Sequence, residues 1–424
     1  MAHRPDGLGA THDNSIPLLR QAIMEKTTPT DISPGVTPEA LLQRARDMAP
    51  ILLQRAKDAE DARRIPDETM REIHDAGLMR VMQPRRFGGY EYDFGLFVKI
   101  AAELARGCGS SSWVYSNLAS HQWMVGMWCG EAQDEVWARS PDECVCSSLA
   151  FPAGKATRVE GGYRIRGQWP FSSGIDNSRW AMLAAVVEED AGHPQEHRIF
   201  LLPEADYEAV DNWFVTGLSA TGSKDVKVED KFVAEHMTVS PLDWRGGDSP
   251  GSPVNPSALF KLPVISIFPY CISGVSLGIA QGALDRYVAH TRKRVSTYTG
   301  AKVAQFSNVH ISLAEAGALI EAAERMMDYD CAEVTRIADE GGTPTLDQKV
   351  RYRRNGAYTT TLCVRAVDIL FSLTGGAALF ENNPIQRSFR DIHACKAHIA
   401  LAWEPAASLY GRVALGLPAD SPLL

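Results

Sequence analysis

The side chains best suited to handling a proton in this sequence are two histidines in apolar company. His121 stands between Ser120 and Gln122 in an otherwise apolar stretch, and His398 follows Asp391 by seven residues. An imidazole changes charge near neutral pH and can act as acid, base or hydrogen-bond partner; the bland reading of each is a satisfied core or capping histidine. His393, five residues before His398, would lie on a different helical face. Two serine pairs, Ser147-Ser148 and Ser172-Ser173, offer hydroxyls near strand ends. Alternation turns only one member of the first pair inward, and a serine pair after a strand is commonly just a turn. Arg292-Lys293-Arg294 reads as a basic, solvated face, and Gly375-Gly376-Ala377-Ala378 reads as a helix cap.

What is missing narrows the chemistry further. No G-x-G-x-x-G follows a strand pattern, and there is no G-x-x-x-x-G-K-[ST] or H-E-x-x-H. The chain therefore carries no dinucleotide fingerprint, phosphate loop or zincin site, and a redox enzyme built on it must draw electrons from elsewhere. The eight cysteines (108, 129, 144, 146, 271, 331, 363, 395) form no C-x-x-C pair, so reduced thiols in a cytoplasmic protein are expected, with no structural metal.

These residues need elements to hold them. Residues 37–140 read as helical: Thr37-Pro38-Glu39 is a helix start, and Leu41, Ala45, Met48, Leu52 and Ala56 keep helical spacing, with Pro50 expected to kink or split the helix. A second helix runs from near Pro66 to Gly77 and a third over about 93–106; Ser110-Ser111-Ser112 precedes a long apolar helix holding His121. Over 141–250 the period drops to two, as in Tyr163, Ile165, Val226 and Val228, which predicts a small all-β sandwich or barrel. From 251 to 424 helical periodicity returns, with the stripe Leu313, Ala316, Ile320, Ala323, Met327 and Val334, and further helices over 347–373 and 384–415. With the uncharged run Leu262–Leu284, these predict a four-helix bundle. That run is long enough to span a bilayer. Its prolines and serines, and Gly274, Gly278 and Gly282 on one face, favour a buried helix closely approached by another, and burial against neighbouring subunits is expected.

The composition is that of an ordinary globular protein. The 424 residues are 45% hydrophobic and 22% charged, and 43 Lys+Arg against 52 Asp+Glu give a formal charge of −9. An acidic balance without a basic stripe argues against nucleic acid or an anionic membrane as partner. Residues 1–36 have no apolar core segment and are expected to form a mobile extension rather than a signal peptide.

Several local sequences, in order, resemble the acyl-CoA dehydrogenase superfamily: Phe87-Gly88-Gly89 followed by Glu103, Trp169-Pro170-Phe171-Ser172-Ser173-Gly174, Thr221-Gly222-Ser223-Lys224-Asp225-Val226, Gly278-Ile279-Ala280-Gln281 with Arg294, and Gly375-Gly376 fifteen residues before Arg390-Asp391. The resemblance implies a mainly α fold with a central β domain: helical domain, middle β domain, four-helix bundle. It also implies contact of Trp169, Phe171, Ser172, Ser173 and Ser223 with a flavin ring, and of Arg294, Gly375 and Gly376 with its phosphates. A dehydrogenase of this family needs a carboxylate to remove an α-proton. Here the position eight residues after Asp391 is Ile399, and no acid lies between Lys261 and Asp285.

The histidine at 398 and the F-S-S-G at 171–174 resemble instead the oxygenase components of two-component flavin monooxygenases, such as the 4-hydroxyphenylacetate 3-hydroxylases. That resemblance implies reduced FMN or FAD from a separate NAD(P)H-dependent flavin reductase, O2 as co-substrate, and a hydroperoxide at flavin C4a that hydroxylates a small phenolic aromatic. Ser172, with Ser173 as the register alternative, becomes the candidate donor at flavin N5. His398 becomes the candidate base, and His121 and Ser147 the substrate-binding pair. A homotetramer is implied as well. The alternatives are an acyl-CoA dehydrogenase with an unrecognised base, or a non-catalytic member of the fold.

Overall fold

A computed structural model describes residues 36–190, 192–421 and 424; the extension expected over 1–36 lies, apart from Val36, outside the described residues. Helix α1 (Pro38–Ala62) begins as its sequence dictates, with the Thr37 hydroxyl accepting from Ala40 N–H at 3.2 Å and Pro38 in the first turn. The break expected at Pro50 does not occur. Pro50 and Arg46, whose carbonyl loses its helical partner, both face solvent, so water can take the freed carbonyl and the helix continues. Helices α2 (Asp67–Asp75), α3 (Phe94–Ala105), α4 (Gly109–Val125) and α5 (Gly130–Val136) follow. Every residue of α4 is buried, and the three serines expected to precede it form its first turn.

The middle segment folds as one mixed eight-stranded sheet: β1 (Val145–Ser148), β2 (Gly154–Val159), β3 (Gly162–Ser172), β4 (Trp180–Val187), β5 (Glu196–Pro203), β6 (Glu208–Val210), β7 (Lys224–Ala234) and β8 (Thr238–Val239). The strands run β6-β7-β3-β2-β4-β5-β8, with β1 added in parallel to β4. The β3–β7 register is antiparallel and slips between Trp169 and Ser172.

The C-terminal segment holds α6 (Val264–Thr291), α7 (Ser307–Asp339), α8 (Leu346–Thr374), α9 (Pro384–Lys396) and α10 (Trp403–Ala414). α6 is packed by α3, α4, α8 and α9 of the same chain. Its burial is thus met internally, and the neighbouring subunits expected to cover it are not needed for that purpose. The glycine stripe works as its spacing predicts. A Cβ on Gly274, Gly278 or Gly282 would fall 3.0, 1.9 or 2.5 Å from the carbonyl oxygens of Val98, Ala102 and Arg106, so α3 lies directly on the bare face. The single helix expected over 384–415 is two helices. In a continuous helix the ring of Pro405 would collide with the carbonyl of Leu401, and the chain breaks at Ile399–Leu401. That break is where His398 sits.

Candidate active site

The end of β3 departs from regular pleating. Trp169 pairs with Val226 and Ser172 with Lys224, so two residues of β3 bulge against one of β7. Within the bulge Phe171 adopts φ 68°, a left-handed conformation that costs a non-glycine residue about 1–2 kcal/mol. The bulge shifts the alternation by one. Phe171 turns outward, 66% exposed and edge-on to Trp213 at 6.2 Å, while Trp169 and Ser172 both turn inward. Trp169 is sealed in the sheet core with its indole N–H on the Ala184 carbonyl at 2.6 Å. Neither aromatic joins the polar cluster described next, so the flavin-ring contacts expected of Trp169 and Phe171 do not coincide with it.

Ser172 and Ser173 have opposite fates. Ser173 Oγ accepts from Trp113 Nε1–H at 3.1 Å and lies 2.7 Å from Ser223 Oγ. Ser223 Oγ lies 2.7 Å from Thr221 Oγ1, which donates to the Leu218 carbonyl at 2.8 Å. Ser223, expected at the cofactor, is thus a link inside this polar row. Ser172 Oγ, fully buried, has no hydrogen-bond partner among the described residues. A buried hydroxyl without a partner is unfavourable by about 1–3 kcal/mol, so Ser172 rather than Ser173 is the hydroxyl available to a bound group.

The substrate-binding pair foreseen from sequence is brought together. His121 hangs from α4, Nδ1 at 2.6 Å from the Val145 carbonyl and Nε2 at 3.0 Å from Ser147 Oγ. A carbonyl can only accept, so Nδ1 carries the hydrogen and Nε2 accepts from the Ser147 hydroxyl. Burial drives the His121 pKa down to about 4, and the ring is neutral. Ser148 points to the other side of β1 and donates to the Pro170 carbonyl at 2.7 Å, fastening β1 to the bulge that carries Ser172.

His398 lies in the α9–α10 break with its ring packed edge-on to Trp113 at 5.7 Å and tilted against Phe268 at 6.1 Å. Its Nδ1 accepts from Ala400 N–H at 3.1 Å, capping the short turn that follows. Desolvation lowers its pKa to about 4. The neutral ring therefore carries its hydrogen on Nε2 and offers an N–H donor in this structure. Trp113 and Phe268, which orient this ring, were not foreseen. Their only signal was an aromatic two helical turns before His121 and another in the uncharged run. His393 stays outside the cluster, paired with Asp368 at 2.9 Å.

Arg294 and the glycine pair also meet. Arg294 Nη1 donates to the Leu373 carbonyl at 3.2 Å, and its guanidinium lies beside Gly375, whose φ of 66° and ψ of −150° suit glycine alone. Open space surrounds the Cβ position of Gly376. A buried hydroxyl lacking a partner and a cation beside open glycines are the two kinds of group a reduced flavin requires, one for N5 and one for phosphate. The residues fit that cofactor.

Comparison with known proteins agrees. Residues 37–140 match the acyl-CoA dehydrogenase N-terminal domain and residues 270–403 its C-terminal domain. The chain is 36% identical to the flavin-dependent monooxygenase oxygenase subunit HsaA of Rhodococcus jostii, covering 89% of this chain and 98% of that protein. It is 33% identical to the oxygenase component of the FADH2-dependent resorcinol hydroxylase of a Rhizobium strain, over 89% and 94%. The crystal structure of the 3-HSA hydroxylase from Rhodococcus sp. RHA1 superposes with a TM-score of 0.86 at 35% identity, over 91% and 99%. Shared fold and shared length converge: the chain belongs to the oxygenase components of flavin-dependent monooxygenases, within the acyl-CoA dehydrogenase superfamily.

Proposed function

We propose that this enzyme hydroxylates a small phenol or closely related aromatic with O2, using FADH2 made by a separate NAD(P)H-dependent reductase. The observation that carries the reading is the buried, partnerless hydroxyl of Ser172. Bound reduced flavin supplies the two electrons that activate oxygen; the chain supplies everything else. Ser172 Oγ would sit at flavin N5 and hold the proton there, while the wholly buried α4 and the uncharged stretch of α6 up to Leu284 would exclude the water that releases peroxide instead. Ser147 has given its hydrogen to His121, so its oxygen is left to accept from the phenol O–H. His398 Nε2–H orients the phenol oxygen from its own side, and Arg294 with Gly375 and Gly376 receives the phosphates.

FAD over FMN is supported by the FADH2 dependence printed for the Rhizobium relative. A homotetramer is supported by large apolar side chains left exposed on this chain, among them Phe214, Leu379, Phe380, Ile399 and Leu415. Eight free thiols support a cytoplasmic setting.

The test is Ser172→Ala, supplied with FADH2 and a panel of phenols. Hydroxylated product should fall, on the order of 10²-fold for loss of one positioned donor, with released H2O2 rising to match and thermal stability unchanged. An unaltered product-to-peroxide ratio would remove Ser172 from this role.

A further inference from the structure

Trp113, Ser173, Ser223, Thr221 and Leu218 form an unbroken row of hydrogen bonds that crosses from α4 through the end of β3 to the loop before β7. The row is buried at every side chain. Its direction follows from counting. An indole N–H can only donate and a carbonyl can only accept. The three contacts beyond Trp113 (Ser173 to Ser223, Ser223 to Thr221, Thr221 to Leu218) need three hydrogens, and three hydroxyls are there to give them. Each hydroxyl must therefore donate onward: Ser173 to Ser223, Ser223 to Thr221, Thr221 to the Leu218 carbonyl. None is left over.

One end of the row is tied to α9 and the other packs on His398. Leu218, at φ 54°, donates its backbone N–H to Asp391 Oδ1 at 2.8 Å, and Asp391 lies on α9, seven residues before His398. At the other end the Trp113 ring packs against His398 itself. Alongside, Gly174 N–H donates to the Thr221 carbonyl at 3.0 Å, so the backbone just beyond Ser172 is tied to the same loop.

We propose that Ser223 is a positioning residue for Ser172: by taking the hydrogen of Ser173 it leaves Ser172 as the one donor of the pair and fixes the bulge that presents it. The assignment rests on the flavin reading above. Ser223 does not touch the substrate; it acts through Ser173. Without its hydroxyl, the hydrogen of Ser173 is released, two neighbouring hydroxyls compete, and the bulge loses a tether.

The experiment pairs Ser223→Ala with Ser223→Thr, which restores the hydroxyl, and reads two quantities. In the flavin-free enzyme, the indole N–H resonance of Trp113, identified by its loss in Trp113→Phe, should move toward the unbonded range in Ser223→Ala, because Ser173 accepts less strongly once it no longer donates. In Ser223→Thr it should return. With FADH2 supplied, the product-to-peroxide ratio should fall about 2- to 10-fold in Ser223→Ala, the factor one hydrogen bond of ordinary net strength carries. The KM for the phenol should stay unchanged, and Thr should recover the ratio. Should Ser223→Ala not fold, Ser223→Cys, nearly isosteric and only a weak acceptor, weakens the same contact while keeping the Ser173 hydroxyl, and the same readouts apply.

An indole resonance that ignores Ser223→Ala overturns the row itself; a resonance that moves while the ratio holds overturns its positioning role. A wild-type enzyme that makes no hydroxylated product from any phenol overturns the flavin reading instead. That failure is distinguishable, because the resonance shift is measured without flavin.

Discussion

At the scale of single residues, His121 shows how a buried imidazole ties stability to pH. In the fold burial lowers its pKa from 6.5 to about 4, and on unfolding the pKa returns to 6.5. Between those values the unfolded chain binds the proton more readily. Stability is therefore complete above pH 6.5 and is lost as the pH falls toward 4, on the order of 3 kcal/mol for a group of this shift. His398 adds to the loss in the same direction. We expect the melting temperature to drop on acidification from pH 7 to 4.5, and His121→Asn to flatten that slope; an equal slope in the variant would show that the charge of His121 is not what acid stresses. Residue type alone singled out His121 as a group that can handle a proton, whereas Ser147, Ser172, Arg294 and the Gly375 pair, read locally as strand, turn, surface and cap, were picked out by the family resemblance. Which of Ser172 and Ser173 keeps its hydrogen was not visible: that depends on Trp113 and Ser223, sixty residues before and fifty after Ser173. The tautomer of His398 was hidden for a similar reason, since its protonated nitrogen is set by the turn at Ala400, and that turn follows the break that Pro405 imposes.

At the scale of elements, caps and close contacts were legible and irregularities were not. Thr37-Pro38-Glu39 starts α1 and the Gly274/Gly278/Gly282 stripe receives α3, because each is written in a few consecutive turns. The β3 bulge depends on pairing with β7, more than fifty residues away, and Phe171 gives no local sign of its left-handed backbone. The stripe yields a contrast that can be measured. Gly278→Ala places a methyl 1.9 Å from the Ala102 carbonyl, so α3 or α6 must shift, and we expect destabilisation of about 1–3 kcal/mol. Gly317→Ala, in α7 with nothing within 4 Å, should stabilise by about 0.5–1 kcal/mol. Denaturant titrations of the two variants decide the matter; equal effects would mean that the glycines of α6 are not there for the close approach.

At the scale of the whole molecule, the sequence foresaw the order of helices, sheet and helices, and erred on what covers α6. An apolar helix looks the same whether its own chain or another subunit buries it, so only the packing of α3, α4, α8 and α9 could distinguish them. Cofactor binding should register globally. A ligand that binds only the folded state stabilises it by about 2.7 kcal/mol at a hundredfold excess over its Kd, so anaerobic FADH2 should raise the melting temperature. Arg294→Ala should demand about ten times more flavin for the same rise, as loss of a charged hydrogen bond would; an unchanged titration would place the phosphates elsewhere.

The row from Trp113 to Leu218 has one more consequence, for conduction. A Grotthuss wire passes protons only if its terminal groups can both receive and release one. Here an indole closes one terminus and a peptide oxygen the other, so the row is an insulator: it can stiffen the pocket without ever leaking a proton into it.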